Sequence, residues 1–313
     1  MLDVRRMRVL REVAACGSFS AAAESLAYTQ SAVSQQIAAL EREAGTTLVE
    51  RGARGVRMTD AGRALVEHAD VILARLADAE AELDAISGLR AGRIRVVAFP
   101  SAGATLIPPA IARFREAHPD IELSLRPGEP DEGIAMLRSG EADVSLSIET
   151  PGSCSAPPEG ILLEPLLDDH MYAVLPAGHR LASRRRIRLE DLAGESWILG
   201  SSTDECPDAR IVLQACAGAG FEPDVAFQND DYQAIQGFIA AGVGVSLIPE
   251  LALTTVRDDV VALPLGARAP FRRIVAATLA GGWESPAKLR MLEVLREVGG
   301  EFAGRRGDLR LAS

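Results

Sequence analysis

Residues 17–58, GSFSAAAESLAYTQSAVSQQIAALEREAGTTLVERGARGVRM, constrain the fold more than any other stretch. Ser18 or Ser20 can cap a short Ala-rich helix, Ser20 to Ala27, by accepting from its free amides. Ala22, Ala23 and Leu26 allow that helix close approach to a neighbour. Ala27-Tyr28-Thr29 reads as a turn, and Thr29 can cap a second helix from about Gln30 to Glu43. On it Val33, Ile37, Leu40 and Ala44 recur at helical spacing and face a core. Gln30, Ser31, Ser34, Gln35 and Ala38 fall on the opposite side. An uncharged stripe of small and amide side chains suits a helix entering a DNA major groove, where Gln bridges adenine N6 and N7. Taken alone, an ordinary polar helix face would look the same. The neighbouring sequence favours DNA: residues 45–51 and 55–58 read as a hairpin around Gly52 to Gly55. It carries Arg51, Arg54 and Arg57 for phosphates or the minor groove.

Extended to Thr59-Asp60-Ala61-Gly62, this stretch resembles the winged helix-turn-helix of the LysR-type transcriptional regulators. The shared features are Ser18-Phe19 between Gly17 and the Ala run, Ser34 with Gln35, Leu40-Glu41, Gly45, Leu48, Arg51 and Thr59-x-Ala61-Gly62. Val49 stands where the family usually has Phe, and Ser31 where it often has Pro; Ser31 still leaves the helix start well formed, and neither departure changes the expected fold. The expected DNA-contacting set is Ser18, Thr29, Gln30, Ser31, Ser34, Gln35, Arg51, Arg54 and Arg57.

A net charge of -11 is unusual for a DNA binder. Residues 1–60 nevertheless hold 8 Arg against 7 acidic residues, while the remainder holds 25 basic and 37 acidic ones. So weak a footprint makes binding depend on clustered Arg and on two copies per dimer, and makes it salt-sensitive. At 313 residues and 48% hydrophobic, the chain has core enough for two or three compact units. MLDVRRMRVLREV has no apolar leader segment, and no run of about 18 apolar residues occurs. The expectation is a cytoplasmic protein with no membrane partner. Cys16, Cys154, Cys206 and Cys216 form no C-x-x-C and no zinc spacing with the histidines, so neither a metal nor a cofactor is expected.

Residues 2–16 read as an amphipathic helix offering Leu2, Met7, Leu10 and Val13 to the core. After the hairpin, Thr59 can cap a long helix from Asp60 to about Leu89. Its apolar positions Leu65, Ala69, Ile72, Leu76, Ala79, Leu83 and Ile86 are spaced alternately by four and three. That is a heptad seam, fitting a partner helix better than a broad core face. Ser87-Gly88 and Ala91-Gly92 then act as a hinge.

From Arg93 strands and helices alternate. Strands at Ile94–Phe99, Ile121–Leu125 and Val144–Ile148, separated by helices, predict a parallel sheet with right-handed crossovers. Residues 150–160 read as a loop, Leu162–Leu167 as a strand, and His170–Pro176 as a separate strand crossing into a second α/β half. That half holds a strand at Trp197–Leu199, a helix from Pro207, a strand at Val225–Phe227, a helix from Asp231 and a strand after Gly244. Val260–Leu263 and Arg272–Leu279 are expected to return to the first half, which the helix Ser285–Phe302 completes.

The expected fold class is α/β: an N-terminal all-α winged helix-turn-helix, a coiled-coil linker helix and a two-lobed α/β clamshell of the periplasmic-binding-protein type. Residues 1–58 form the first part and 59–90 the linker. Residues 91–165 with 267–303 form lobe I, 166–266 form lobe II, and 304–313 a tail. The clamshell is similar to the LysR effector domain, and PLLDDHMYAVLPAGHRLA and AAGVGVSLIPELAL resemble its segments. The resemblance implies a homodimer or homotetramer on double-stranded operator DNA, modulated by a small-molecule effector, with RNA polymerase left open as a further partner. The cleft positions it carries over are Ser101, Ala102, Glu129, Ser147, Ser201, Ser202, Thr203, Phe227 and Gln228. Hydroxyls and helix N-termini there favour an anion. Yet these loops carry no Arg or Lys and Glu129 would repel an anion, so a neutral or cationic effector stays open.

Three alternatives differ in kind. A peroxide-sensing branch of the family has two cysteines at a separation similar to Cys206 and Cys216, but DECPDARIVLQAC does not match it closely. A solute-binding protein would have a signal peptide and no helix-turn-helix. An enzyme finds no support: catalytic signatures are absent, and Gly242-x-Gly244 lacks the third glycine of a dinucleotide site.

Overall fold

The computed structural model describes residues 1–52, 55–86, 93–150, 157–200, 207–266, 269–281 and 284–305. The expected hinge at 87–92, most of the loop at 150–160 and most of the tail lie outside them. The chain groups into two units, Met1–Gly92 with Ile134–Asp143 and Gly281–Ser285, and Arg93–Gly133 with Val144–Ala280 and Pro286–Ser313.

The first unit contains α1 (Val4–Cys16), α2 (Phe19–Ser25), α3 (Gln30–Ala44), β1 (Val49–Gly52), β2 (Gly55–Met58) and α4 (Asp60–Ile86). Met7, Leu10, Val13, Ala22, Val33, Ile37 and Leu40 close one core among its first three helices. The start of α2 is set by Ser18, whose Oγ accepts the Ala21 amide at 3.1 Å, so the cap is Ser18 and not Ser20. Its end is set by Ala27, which takes the left-handed conformation at φ 53 and forbids another turn. Strands β1 and β2 pair antiparallel as the expected hairpin. Gly62 lies over the Leu48 carbonyl, where an added Cβ would come within 2.1 Å of the oxygen. Thr59 Oγ1 accepts the Gly62 amide at 3.0 Å and donates to the Thr47 carbonyl at 2.8 Å. The Thr-x-Ala-Gly run is thus the weld between hairpin and α4.

The seam of α4 divides. Ala69 is fully buried and Leu65 half-buried in the winged-helix core, so its own domain uses them. That corrects the expectation of one continuous seam for a partner, because the first turns of α4 pack on α1. Farther along, Ile72, Leu76 and Leu83 are 39%, 46% and 65% exposed. The side chain of Ile86 lies outside the described set.

The second unit runs β3 (Arg93–Ala98), α5 (Pro100–Thr105), α6 (Ile107–Ala117), β4 (Glu122–Pro127), the start of α7 (Pro130–Arg138, whose residues from Ile134 group with the first unit), β5 (Val144–Glu149) and β6 (Ile161–Pro176). It continues with β7 (Ser196–Leu199), α8 (Pro207–Gly218), β8 (Asp224–Gln228), α9 (Tyr232–Ala240) and β9 (Ser246–Pro249). Last come β10 (Val260–Pro264), β11 (Phe271–Leu279) and α10 (Pro286–Gly304). β3 pairs in parallel with both β4 and β5, the expected βαβαβ sheet. Lobe I closes over Val96, Leu106, Phe114, Leu146, Ile274 and Leu295. Lobe II closes over Leu175, Trp197, Ile211, Cys216 and Leu247, with a second cluster around Ile198, Ile239 and Ile248.

Two expectations fail here. Leu162–Leu167 and His170–Pro176 are one continuous strand, β6, because Arg273 and Arg272 on β11 stand opposite Asp168 and Asp169 and neutralise the acidic pair that read as a break. The residues Ile161–His170 pair with β11, and Met171–Pro176 pair with β9 and β10, so one strand belongs to both lobes. Val260–Leu263 does not return to lobe I: β10 lies against Tyr172–Pro176 in lobe II. Among the described residues no helix is long and apolar enough to cross a membrane.

Candidate DNA-reading face and interlobe cavity

Helix α3 begins at Thr29, whose Oγ1 accepts the Ala32 amide at 3.2 Å and lies 3.0 Å from Ser31 Oγ. Its inner face is shut by Val33, Ile37 and Leu40, at most 2% exposed. Gln30, Ser31, Gln35 and Ala38 are exposed on the outer face, with Ser34 half-buried beside them. At the far end Glu41 Oε1 accepts the amides of Leu48 at 2.8 Å and Val49 at 3.2 Å, fastening the hairpin to the helix. Val56 N–H donates to the Gly17 carbonyl at 3.0 Å, fixing β2 to the start of α2. Arg57 is exposed on β2. Arg51 lies on β1 with its side chain outside the described set, and Arg54 lies outside it altogether. Ser18 is half-buried as the α2 cap. Tyr28, in the turn before α3, is 54% exposed.

The second unit encloses a cavity of about 770 Å³ between its lobes. At its floor Arg272, on β11, is 1% exposed. Its Nε donates to Asp169 Oδ2 at 2.9 Å, Nη1 to Asp208 Oδ2 at 2.7 Å and Nη2 to Ser101 Oγ at 2.7 Å. Those partners come from β6, from α8 in lobe II and from α5 in lobe I. One guanidinium therefore ties the crossing strands to both lobes, with the Phe99 ring 5.2 Å beneath it. Burial opposes the charge on Arg272, but Asp208 and Asp169 outweigh burial and raise it. Burial likewise pushes the Asp169 carboxyl up, against the pull of Arg272 and the Leu251 amide, which Oδ1 accepts at 3.1 Å. The ion pair is the state both residues hold, since each has its hydrogen-bond partners in place.

Tyr232 donates its hydroxyl to Asp208 Oδ2 at 2.5 Å, while Asp208 Oδ1 is buried without a donor among the described residues. Glu129 enters from the loop before α7. Burial, then Asp208, Glu132 and Asp230, push its carboxyl up, with Arg272 pulling the other way. Asp231, also on the lining, caps α9 by accepting the Gln233 amide at 2.8 Å.

Of the expected cleft residues, Ser101 and Glu129 line this cavity. Ala102 does not: it is fully buried in the lobe I core, because the α5 turn points it inward. Ser147 is buried in β5 and its neighbour Ile148 reaches the cavity instead, since successive strand residues face opposite ways. Phe227 and Gln228 lie on exposed β8 away from the cavity, with Phe227 against Phe238 at 4.3 Å between ring centroids. Ser201, Ser202 and Thr203 lie outside the described residues. The expectation spoke only of the loops; the cavity's cation is Arg272, supplied by a strand. Its signal was parity, since Arg272 shares a strand face with buried Ile274 and Ala276.

Residues 4–63 match the family model described as "Bacterial regulatory helix-turn-helix protein, lysR family". Residues 87–300 match the one described as "LysR substrate binding domain". The chain is a LysR-family transcriptional regulator. Over 265 residues it is 31% identical to the transcriptional dual regulator GltC of Bacillus subtilis, covering 83% of this chain and 85% of that protein. A full-length OxyR variant from Pseudomonas aeruginosa shares the fold, with a TM-score of 0.70 at 24% identity over 96% of this chain and 95% of that one. Full-length CbnR complexed with its target DNA does so with a TM-score of 0.65 at 23% identity, over 95% of this chain and all (100%) of that one. This LysR-family chain thus has a DNA-binding head and an effector-binding domain, and the cavity lies in the latter.

Proposed function

We propose that α3 reads operator DNA in the major groove through Gln30, Ser31, Ser34 and Gln35, with Ser18 and Thr29 near the backbone at the helix starts. Arg57, together with Arg51 and Arg54, anchors the hairpin on phosphates or in the minor groove. The observation that carries this reading is the division of α3 into a face closed on its core and an uncharged, solvent-facing one. CbnR, which shares the fold, was solved on target DNA. Ile72, Leu76 and Leu83 pair with the same helix of a second copy, giving a homodimer or homotetramer that works in the cytoplasm without catalysing a reaction. A small molecule in the cavity around Arg272 shifts the lobes and so alters operator binding or bending, with RNA polymerase as the downstream contact.

Footprinting of the intergenic DNA upstream of the gene, with metabolites added in turn, tests this. Protection of two sites one helical turn apart, altered by a ligand, is the expected result. Protein that never retards duplex DNA at low ionic strength ends the reading. A redox role for Cys206 and Cys216 is not favoured: Cys216 is fully buried, and burial pushes its thiol up to about 12. Cys206 lies outside the described residues.

A further inference from the structure

The cavity's guanidinium is already committed. Arg272 is closed to solvent and gives hydrogen bonds to Asp169, Asp208 and Ser101, so two carboxylates already balance its charge before any ligand enters. Among the described residues, the other charged side chains on the lining are acidic: Glu129 from lobe I, and Asp208, Asp230 and Asp231 from lobe II. Asp231 is occupied as a helix cap. Glu129 stands in the field of both Asp208 and Asp230, which places carboxylates of the two lobes around one space. Asp208 also keeps one oxygen, Oδ1, buried without a donor among the described residues. A site so arranged repels a carboxylate or phosphate and offers acceptors to a donor-rich cation. The rest of the described lining mixes apolar side chains, among them Phe99, Ile148, Leu199 and Val212, with neutral polar ones such as Asn229 and Gln233. Among the described residues no group of His, Cys, Asp or Glu has the arrangement of a metal site, which leaves an organic cation over a bare metal ion.

We propose that the cavity takes a small organic cation, an amine or guanidinium on an apolar stem, with Glu129 as its counter-ion and Asp208 as its second acceptor. This rests on reading the cavity as the effector site. It also supplies a route for the signal. Asp208 is the lobe II end of the Arg272 tie, so a ligand N–H drawn to Asp208 competes with Nη1 and loosens the hold between α8 and β11.

The test is direct binding to the full-length protein, by calorimetry and by thermal shift at constant ionic strength. The probes are 1,4-diaminobutane and n-butylguanidinium against succinate and butyrate of matched length. Saturable binding of at least one cation, none of the carboxylates, and an affinity at least ten-fold weaker in Glu129→Gln is the expected result. The folding of Glu129→Gln is checked by its ligand-free Tm, which relief of repulsion keeps at or above that of the parent. Saturable binding of a carboxylate, no saturable binding of either cation, or unchanged cation affinity in Glu129→Gln each overturns the proposal. Retardation of operator DNA without any amine is scored separately, so a failure of the regulator reading is not mistaken for a failure of the cation site.

Discussion

Arg272 and Asp169 stand opposite one another on β11 and β6, with Nε 2.9 Å from Oδ2 and both side chains sealed from solvent. Removing the guanidinium leaves Asp169 and much of Asp208 as unpaired charge in a closed interior. Arg272→Met should therefore cost about 3–5 kcal/mol. Arg272→Lys should recover little, because a point charge cannot address three partners in a fork. Urea unfolding followed by the fluorescence of buried Trp197 reads this, and a loss under about 1 kcal/mol would show that the tie is not structural.

Glu129 gives a pH dependence of definite sign. Its folded carboxyl is raised above the unfolded one, so between those two values the folded state holds the proton more tightly. Stability then falls as pH rises through that window and stays lower above it. Glu129→Gln should melt higher than the parent at pH 8, and the gap should close as pH drops into the ordinary carboxylate range. A gap of opposite sign at pH 8 would contradict the electrostatic picture of the cavity.

Gln35→Ala should relax base preference at the positions it reads, at about 1–3 kcal/mol each. Arg57→Ala should weaken all sequences alike and lower the slope of log affinity against log salt by about 1. The same holds for Arg54→Ala. Competition binding to randomised duplexes at several salt concentrations separates the two behaviours. Wild-type profiles in both variants would place the reading face elsewhere.

Leu76→Glu and Leu83→Glu should shift sedimentation toward monomer while leaving the winged helix folded, since both side chains are exposed on α4. Ala69→Glu should unfold the DNA-binding head instead, because Ala69 is in its core. Equal sedimentation of parent and exposed-face variants would remove α4 as the dimer contact.

Cys216 should stay a free thiol in native protein treated with peroxide, and should react with a thiol reagent at pH 8 only after unfolding. Its burial and a thiol pushed up to about 12 leave almost no thiolate to attack. Mass-spectrometric detection of a Cys206–Cys216 disulfide in folded protein would restore the redox reading.

Local rules made the DNA-binding head readable. Ser18, Thr29 and Thr59 cap helices through hydrogen bonds that span three residues, and the spacing of Val33, Ile37 and Leu40 repeats within a few turns. The cavity was less readable because its chemistry is made by residues far apart in the chain. Asp168-Asp169 reads as a loop unless Arg272-Arg273, more than a hundred residues later, is known to lie opposite. Ser101 and Glu129 were found because they follow strands, as the rule for ligand sites on parallel sheets requires. Asp208 and Tyr232 follow no such rule: Asp208 sits in the first turn of α8 and Tyr232 opens α9, meeting only in the folded lobe.

Glu41 belongs to the reading helix, yet its carboxylate holds the first residues of the hairpin by two amides. Helix and hairpin are consequently one rigid gauge: neither can slide to follow a duplex whose grooves are spaced differently. If α3 and the hairpin engage DNA as proposed, a binding site has to bring its major groove and the adjoining backbone to a set separation, and DNA too stiff to bend into that separation should be rejected even when its bases are right.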